Sequence, residues 1–355
     1  MGITISKGYA GIPRIDFVSA PTPLQKATGL EHYFKQQGIE LGIYLKRDDL
    51  MSIGGGGNKL RKLQYHMASI VEGGNDTVIT FGGLQSNHAR LTAAVCAKLG
   101  LECHLILTQE VDIQAPDYER NGNRLLNRIF GARSHVLPKG KLASAYAEAL
   151  FDELTFLGKK VSIIPIGGST SLGAVGYAEC AQEILRQART LELDFKQVSV
   201  PNGSSGTQAG LIAGWIAGSG DAQVINGYAV MANATDSRRK TSELALATLD
   251  LIGFTQTSSI DINVDDSQLG KAYGHPTPAM LDAVALLART EGILLDPVYS
   301  GKGFAGMLEQ IRKGNFTRGD AILFVMTGGG PGLYAYQETL NDAWADYKDK
   351  KLRSS

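Results

Sequence analysis

The feature that most restricts the fold of this chain is a regular alternation between short apolar, β-branched runs and longer amphipathic segments. Runs at Gly42–Lys46, Thr77–Phe81, Glu102–Leu107, Ser134–Leu137, Val161–Ile166, Gln197–Pro201, Val224–Val230 and Ala321–Met326 read as strands. Helices are expected at Lys59–Val71, Ser86–Leu99, Tyr118–Phe130, Ser144–Leu157, Ala174–Arg189, Thr207–Ala217, Ser237–Leu251, Pro278–Thr290 and Gly303–Arg312. In the first of these, Leu60, Leu63, Met67, Ile70 and Val71 share one face. Such alternation builds parallel sheets covered by helices on both faces. The expected fold class is therefore α/β, with two open, twisted, mostly parallel sheets flanked by helices. Glycine pairs at Gly82-Gly83 and Gly167-Gly168 bracket a four-strand unit. This predicts a small α/β domain of residues 60–165 inserted into a larger domain of residues 1–59 and 166–355.

Charge and composition narrow the function classes. Lys plus Arg and Asp plus Glu number 35 each, so the net charge is zero and no basic stripe stands out. That speaks against a nucleic-acid partner. The 43 glycines cluster after apolar runs rather than in a repeat, which excludes collagen-like and low-complexity readings. Three cysteines (Cys96, Cys103, Cys180) make no disulfide framework. No apolar run is long enough to span a bilayer, and no charged segment followed by an apolar one opens the chain. The expectation is a cytoplasmic enzyme with a small-molecule substrate and no membrane partner.

In open α/β sheets ligands bind beyond the carboxyl ends of the strands, so the glycine-rich turns there matter most. Gly203-Ser204-Ser205-Gly206-Thr207 follows a strand and opens a helix. Its backbone N–H groups and hydroxyls suit a monophosphate, and a well-capped helix start is the other reading. The spacing fits neither a dinucleotide fingerprint nor a nucleotide P-loop. Lys59 stands behind four glycines, Gly54 to Gly57, at a helix start that also carries Arg61 and Lys62. A lysine there is either a solvated surface residue or an amine of depressed pKa, fit for a Schiff base and a proton shuttle. Ser86, Asn87 and His88 gather a hydroxyl, an amide and an imidazole at another helix start, which suits either capping or a substrate carboxylate. Tyr273 and Tyr299 sit in turns. Six histidines show no metal-ligand spacing, and no Gly-x-Ser-x-Gly elbow is present.

Taken in order, KRDD, GGNKLRKLQY, GGLQSNHAR, NGNRLL, GSSGTQAG, DPVYSGKG and TGGGPGLYAY resemble the 1-aminocyclopropane-1-carboxylate deaminase/D-cysteine desulfhydrase family over about residues 20 to 340. The resemblance implies a tryptophan-synthase-β-like architecture (fold type II) and the cofactor pyridoxal 5'-phosphate (PLP). It implies Lys59 as the Schiff-base lysine, Asn87 on the cofactor's ring hydroxyl, and Ser204, Ser205, Gly206 and Thr207 around its phosphate. Ser86 is implied as the active-site serine, beside Asn87 and His88 at the substrate carboxylate, with Tyr273 and Tyr299 as active-site tyrosines. A homodimer is implied as well.

Two departures select a subclass. Where the deaminases carry a glutamate facing the pyridine nitrogen this chain has Ser300, and where they carry a glutamine it has His88. The desulfhydrases have threonine and histidine there. A hydroxyl makes the ring a weaker electron sink than a carboxylate does, sufficient when a β-substituent leaves promptly. The expected activity is thus β-elimination, with D-cysteine the leading substrate. L-cysteate desulfonation, cyclopropane deamination and a non-catalytic PLP-binding protein are the alternatives.

Overall fold

A computed structural model describes residues 4–18, 21–113, 115–255 and 260–353, with side chains described through residue 345. It is an α/β protein built on two sheets. The larger has six strands in the order Asn263–Asp265, Ile225–Ala229, Phe195–Asn202, Ala321–Met326, Gly42–Arg47, Leu24–Lys26. All neighbours run parallel except the last pair, which is antiparallel. The strand Ala321–Met326 is buried at every residue, as a central strand covered on both faces must be. The second sheet orders Arg133–Leu137, Glu102–Thr108, Thr77–Gly83 and Val161–Ile164, all parallel. Each strand expected from the apolar runs is present, with ends shifted by a residue or two.

Small residues decide how the helices seat. Gly210 and Gly214 of helix Gly206–Ser219 face helix Ser171–Thr190 so closely that a Cβ on either would lie 2.2 Å from the carbonyl oxygen of Ala174 or Ala178. Gly176 likewise meets the Arg61 carbonyl of helix Lys59–Glu72, at 2.1 Å. Three helices are thereby locked together, two of which begin at candidate site residues. A buried polar network ties the same elements. Arg61 donates to Asp48 (2.8 and 2.9 Å) and to Glu183 (3.1 Å), Tyr177 donates to Asp48 (2.6 Å), and Lys46 pairs with Glu183. Burial alone would raise the Asp48 carboxyl, but Arg61 and Lys46 bring it below its usual range.

One expected helix is corrected. The segment read as a single helix Tyr118–Phe130 is two, Pro116–Arg120 and Asn123–Ile129. Gly122 breaks it at φ +58°, and a Cβ there would sit 2.8 Å from both Gln85 Oε1 and the Pro331 carbonyl. The break lets Asn123 open the second helix with its main-chain N–H on Gln85 Oε1 (2.9 Å).

Candidate active site

The carboxyl ends of strands from both sheets converge on one cavity of about 370 Å³, within the usual size for a small-molecule site. Gly83 and Thr108 line it from the smaller sheet; Asn202 ends a strand of the larger, and Met231 and Thr327 follow two others. Lys59 reaches it from the start of helix Lys59–Glu72. The preceding glycines all have positive φ (60°, 80°, 72° and 126°), a path closed to other residues at little cost. Asn58 donates its amide to Thr207 Oγ1 (2.9 Å) and so ties this loop to the next one. Burial lowers the Lys59 amine to about 8.

Ser204, Ser205 and Thr207 line the cavity, and Gly206 begins helix Gly206–Ser219 behind them. Ser205 is held at φ +68°, where a side chain is strained, a sign of a loop shaped for a ligand. A Cβ on Gly206 would lie 2.6 Å from Ser169 Oγ and 2.7 Å from Lys62 Nζ. Lys62 is fully buried, and its amine donates to Ser169 Oγ (3.0 Å) and the Gly167 carbonyl (3.2 Å). Burial first, and then the neighbouring Lys59 charge, hold the Lys62 ammonium well below its ordinary pKa. A buried amine, a helix start and hydroxyls thus converge, and the amine's hydrogen-bond partners among the described residues are neutral.

Ser86 caps helix Asn87–Leu99, its hydroxyl accepting from Ala89 N (3.1 Å), so the capping reading holds while Ser86 also lines the cavity. Asn87 lines it too; its Oδ1 accepts from Asn123 Nδ2 (2.9 Å), which leaves its N–H₂ as a donor. Thr80 gives its proton to the Ile164 carbonyl (2.8 Å) and therefore accepts from His88 Nε2 (2.8 Å). That tautomer leaves His88 Nδ1 bare, buried and without a partner. Burial, reinforced by Lys59 and Lys62, keeps the imidazole neutral by pulling its pKa well below 6.5.

Across the cavity, the Tyr273 and Tyr299 hydroxyls lie 2.5 Å apart. Burial raises both phenols, so both stay protonated at neutral pH. Ser300 stands behind this wall rather than in it: fully buried, its hydroxyl donates to Asp296 Oδ2 (2.6 Å). Asp296 also accepts from the main-chain N–H groups of Val298, Tyr299 and Ser300.

Comparison with known proteins shows the family. The model of a family described as pyridoxal-phosphate dependent enzymes matches residues 15–328. This chain belongs to that family. Its relatives include a D-cysteine desulfhydrase of Salmonella typhimurium, 40% identical over 324 residues (91% of this chain, 96% of that one). Another, from Serratia proteamaculans, is 38% identical over 339 residues, covering 94% and 99%. Among solved structures, an ACC deaminase homologue is 33% identical with a TM-score of 0.81, covering 94% of this chain and 97% of that one. A solved threonine deaminase shares the fold at 18% identity and a TM-score of 0.59, covering 88% and 93%.

The chain's own residues fit the cofactor this family uses. The loop at Gly206 leaves no room for a side chain but offers hydroxyls, N–H groups and the unneutralised Lys62 amine, the donor set a phosphate dianion needs. Lys62 and Ser169 are absent from the residues selected by sequence. The signal was there for Lys62, since i, i+3 spacing places it on the Lys59 side of the helix. Ser169 follows the flagged Gly167-Gly168 turn and accepts from or donates to Ser204 Oγ at 2.8 Å.

Proposed function

We propose that this PLP-dependent enzyme cleaves D-cysteine by β-elimination, converting it with water to pyruvate, sulfide and ammonia. The observation that carries the reading is the charge of the cavity wall. Among the described residues lining it, Lys59 is the sole Lys or Arg, and Glu110 adds a negative charge. A sulfonate leaving group would bring a second permanent anion beside the substrate carboxylate, with no cation to receive it. A thiol needs only a proton donor, and the Tyr273–Tyr299 hydroxyl pair supplies one. The desulfhydrase relatives at 38–40% identity support the same choice and its D-stereochemistry.

PLP, when bound, supplies a sink for the electron pair left at the substrate α-carbon. Ser204, Ser205, Gly206 and Thr207 would hold its phosphate with Lys62, and Asn87 its ring oxygen. Ser300, anchored on Asp296 behind the cavity wall, would back the ring-nitrogen side as a neutral group. Lys59, with its pKa near 8, is neutral often enough near pH 8 to hold the cofactor. Once displaced by the substrate amine, its Nζ takes the α-proton. The helix start at Ser86, Asn87 and His88 binds the carboxylate through N–H groups and the Ser86 hydroxyl. His88, neutral, adds no charge there. Tyr299 or Tyr273 passes its proton to the departing sulfur.

The test is a substrate panel of D-cysteine, L-cysteine, β-chloro-D-alanine, L-cysteate and 1-aminocyclopropane-1-carboxylate, scored for sulfide, sulfite, pyruvate and ketobutyrate. Sulfide and pyruvate from D-cysteine are expected to dominate. Preferential sulfite from cysteate, or ketobutyrate from the cyclopropane substrate, would overturn the choice. Three coarser readings accompany it: residues 60–165 form a domain within one made of 1–59 and 166–355, the enzyme is a homodimer, and it works in the cytoplasm. No helix among the described residues is long and apolar enough to cross a membrane. Limited proteolysis and light scattering test the first two.

A further inference from the structure

Arg90 is fully buried one helical turn beyond Asn87. Its Nη2 donates to the Gly56 carbonyl (2.6 Å) in the loop ahead of Lys59. Its Nη1 donates to Asn123 Oδ1 (3.0 Å) and more distantly to Asn87 Oδ1 (3.4 Å), and its Nε has no partner. All these acceptors are neutral. The field of Asp296 reaches the guanidinium, but that carboxylate is already engaged by Val298, Tyr299 and Ser300. Burying a cation on neutral acceptors is costly, and desolvation brings this one down to about 10. A ligand that brings an anion would offset that cost.

We infer that Arg90 is a positioning residue for the cofactor's ring oxygen. Held on Gly56 and Asn123, it helps fix the Asn87 amide with its N–H₂ free for the cavity. It also sets a positive charge behind that amide, for which the anionic ring oxygen of PLP is the counter-charge. The inference rests on the PLP placement given under Proposed function. Asn87 alone, free to flip, would present its oxygen as readily as its nitrogen; Asn123 and Arg90 together occupy that oxygen. A positive charge near the Lys59–PLP chromophore also disfavours its protonated form, so it lowers the pH midpoint of the visible band.

The experiment compares PLP binding to wild type, Arg90→Gln and Arg90→Lys by absorbance titration, with circular dichroism confirming the fold. Arg90→Gln is expected to weaken PLP about 10- to 100-fold, the worth of a charged hydrogen bond. It is also expected to move the pH midpoint of the band up by roughly half a unit to one unit. Arg90→Lys keeps the charge, so the midpoint stays near wild type although affinity falls. Wild type should also bind a PLP analogue lacking the ring hydroxyl at least about tenfold more weakly. A folded Arg90→Gln that binds PLP within twofold of wild type with an unmoved midpoint would overturn the inference. So would equal affinity of wild type for PLP and the deoxy analogue, which decides the matter if Arg90→Gln does not fold. Wild type that takes up no PLP would instead overturn the cofactor placement, and this inference with it.

Discussion

Replacing Lys62 by methionine tests the phosphate cup directly. The side chain keeps its length and apolar stem but loses the amine that meets Ser169 Oγ and the Gly167 carbonyl. Without a phosphate the Lys62 amine has neutral acceptors and a lysine neighbour that disfavours its charge. A phosphate dianion would be its first anionic partner. At about 4 Å and an effective dielectric near 20, the raw attraction is about 4 kcal/mol per charge pair. Desolvation takes back part of that, leaving the net about 1.5–3 kcal/mol typical of a charged hydrogen bond. PLP Kd should therefore rise about 10- to 150-fold. The sign of the pH dependence is fixed as well. Lys62 has a lowered pKa in the free protein and a raised one beside phosphate, so binding takes up a proton between those two values. The affinity advantage of wild type over the variant should thus shrink as pH rises through that window. The assay is absorbance titration of cofactor-stripped protein at several pH values. A folded Lys62→Met that binds PLP within twofold of wild type at pH 7 would refute the reasoning.

Other perturbations have equally definite outcomes. Tyr299→Phe removes one hydroxyl of the proton-donating pair and should lower kcat about 100-fold or more, with KM changed far less, in steady-state sulfide release. Gly122→Ala puts a methyl at φ +58° against Gln85 and the Pro331 carbonyl, and should cost about 2–4 kcal/mol in urea unfolding. Arg61→Met removes the cation bonded to the buried Asp48 carboxylate, which keeps only neutral donors such as Tyr177, while Glu183 retains Lys46, and should cost about 3–5 kcal/mol. Because Asp48 has a depressed pKa when folded, its contribution is present above the unfolded value and lost as pH falls through the folded one. Acid unfolding of Arg61→Met, followed by circular dichroism, should therefore begin at higher pH than in wild type.

The central strands and long helices were legible because their hydrophobic periods are complete over several residues. The short strands Ile5–Lys7, Pro13–Ile15, Leu24–Lys26 and Asn263–Asp265 were not, since three residues are too few to display an alternation. Helix Thr28–Lys35 buries just Leu30 and Phe34, a face too narrow to stand out. In the site, the glycine loops were readable as turns after strands, and the tyrosines as lying in turns. For Lys62 the sequence showed only its i, i+3 spacing from Lys59, because a lysine beside an arginine reads as solvent-facing until the helix is seen wedged against Gly176. Arg90 and Asn123 lay inside quoted motifs without a role, since their meeting at Asn87 depends on a bend at Gly122 that helical periodicity hides. The resemblance puts Ser300 on the ring-nitrogen side; that Asp296 anchors its hydroxyl is a tertiary fact that spacing does not carry.

The most direct measurement is the visible absorbance spectrum of purified protein with PLP, wild type against Lys59→Ala. Wild type should be yellow, with a band that D-cysteine perturbs as sulfide appears. Lys59→Ala should lack that band until an amine is supplied and should release no sulfide. A Lys59→Ala protein with the wild-type band and undiminished sulfide release would contradict the account.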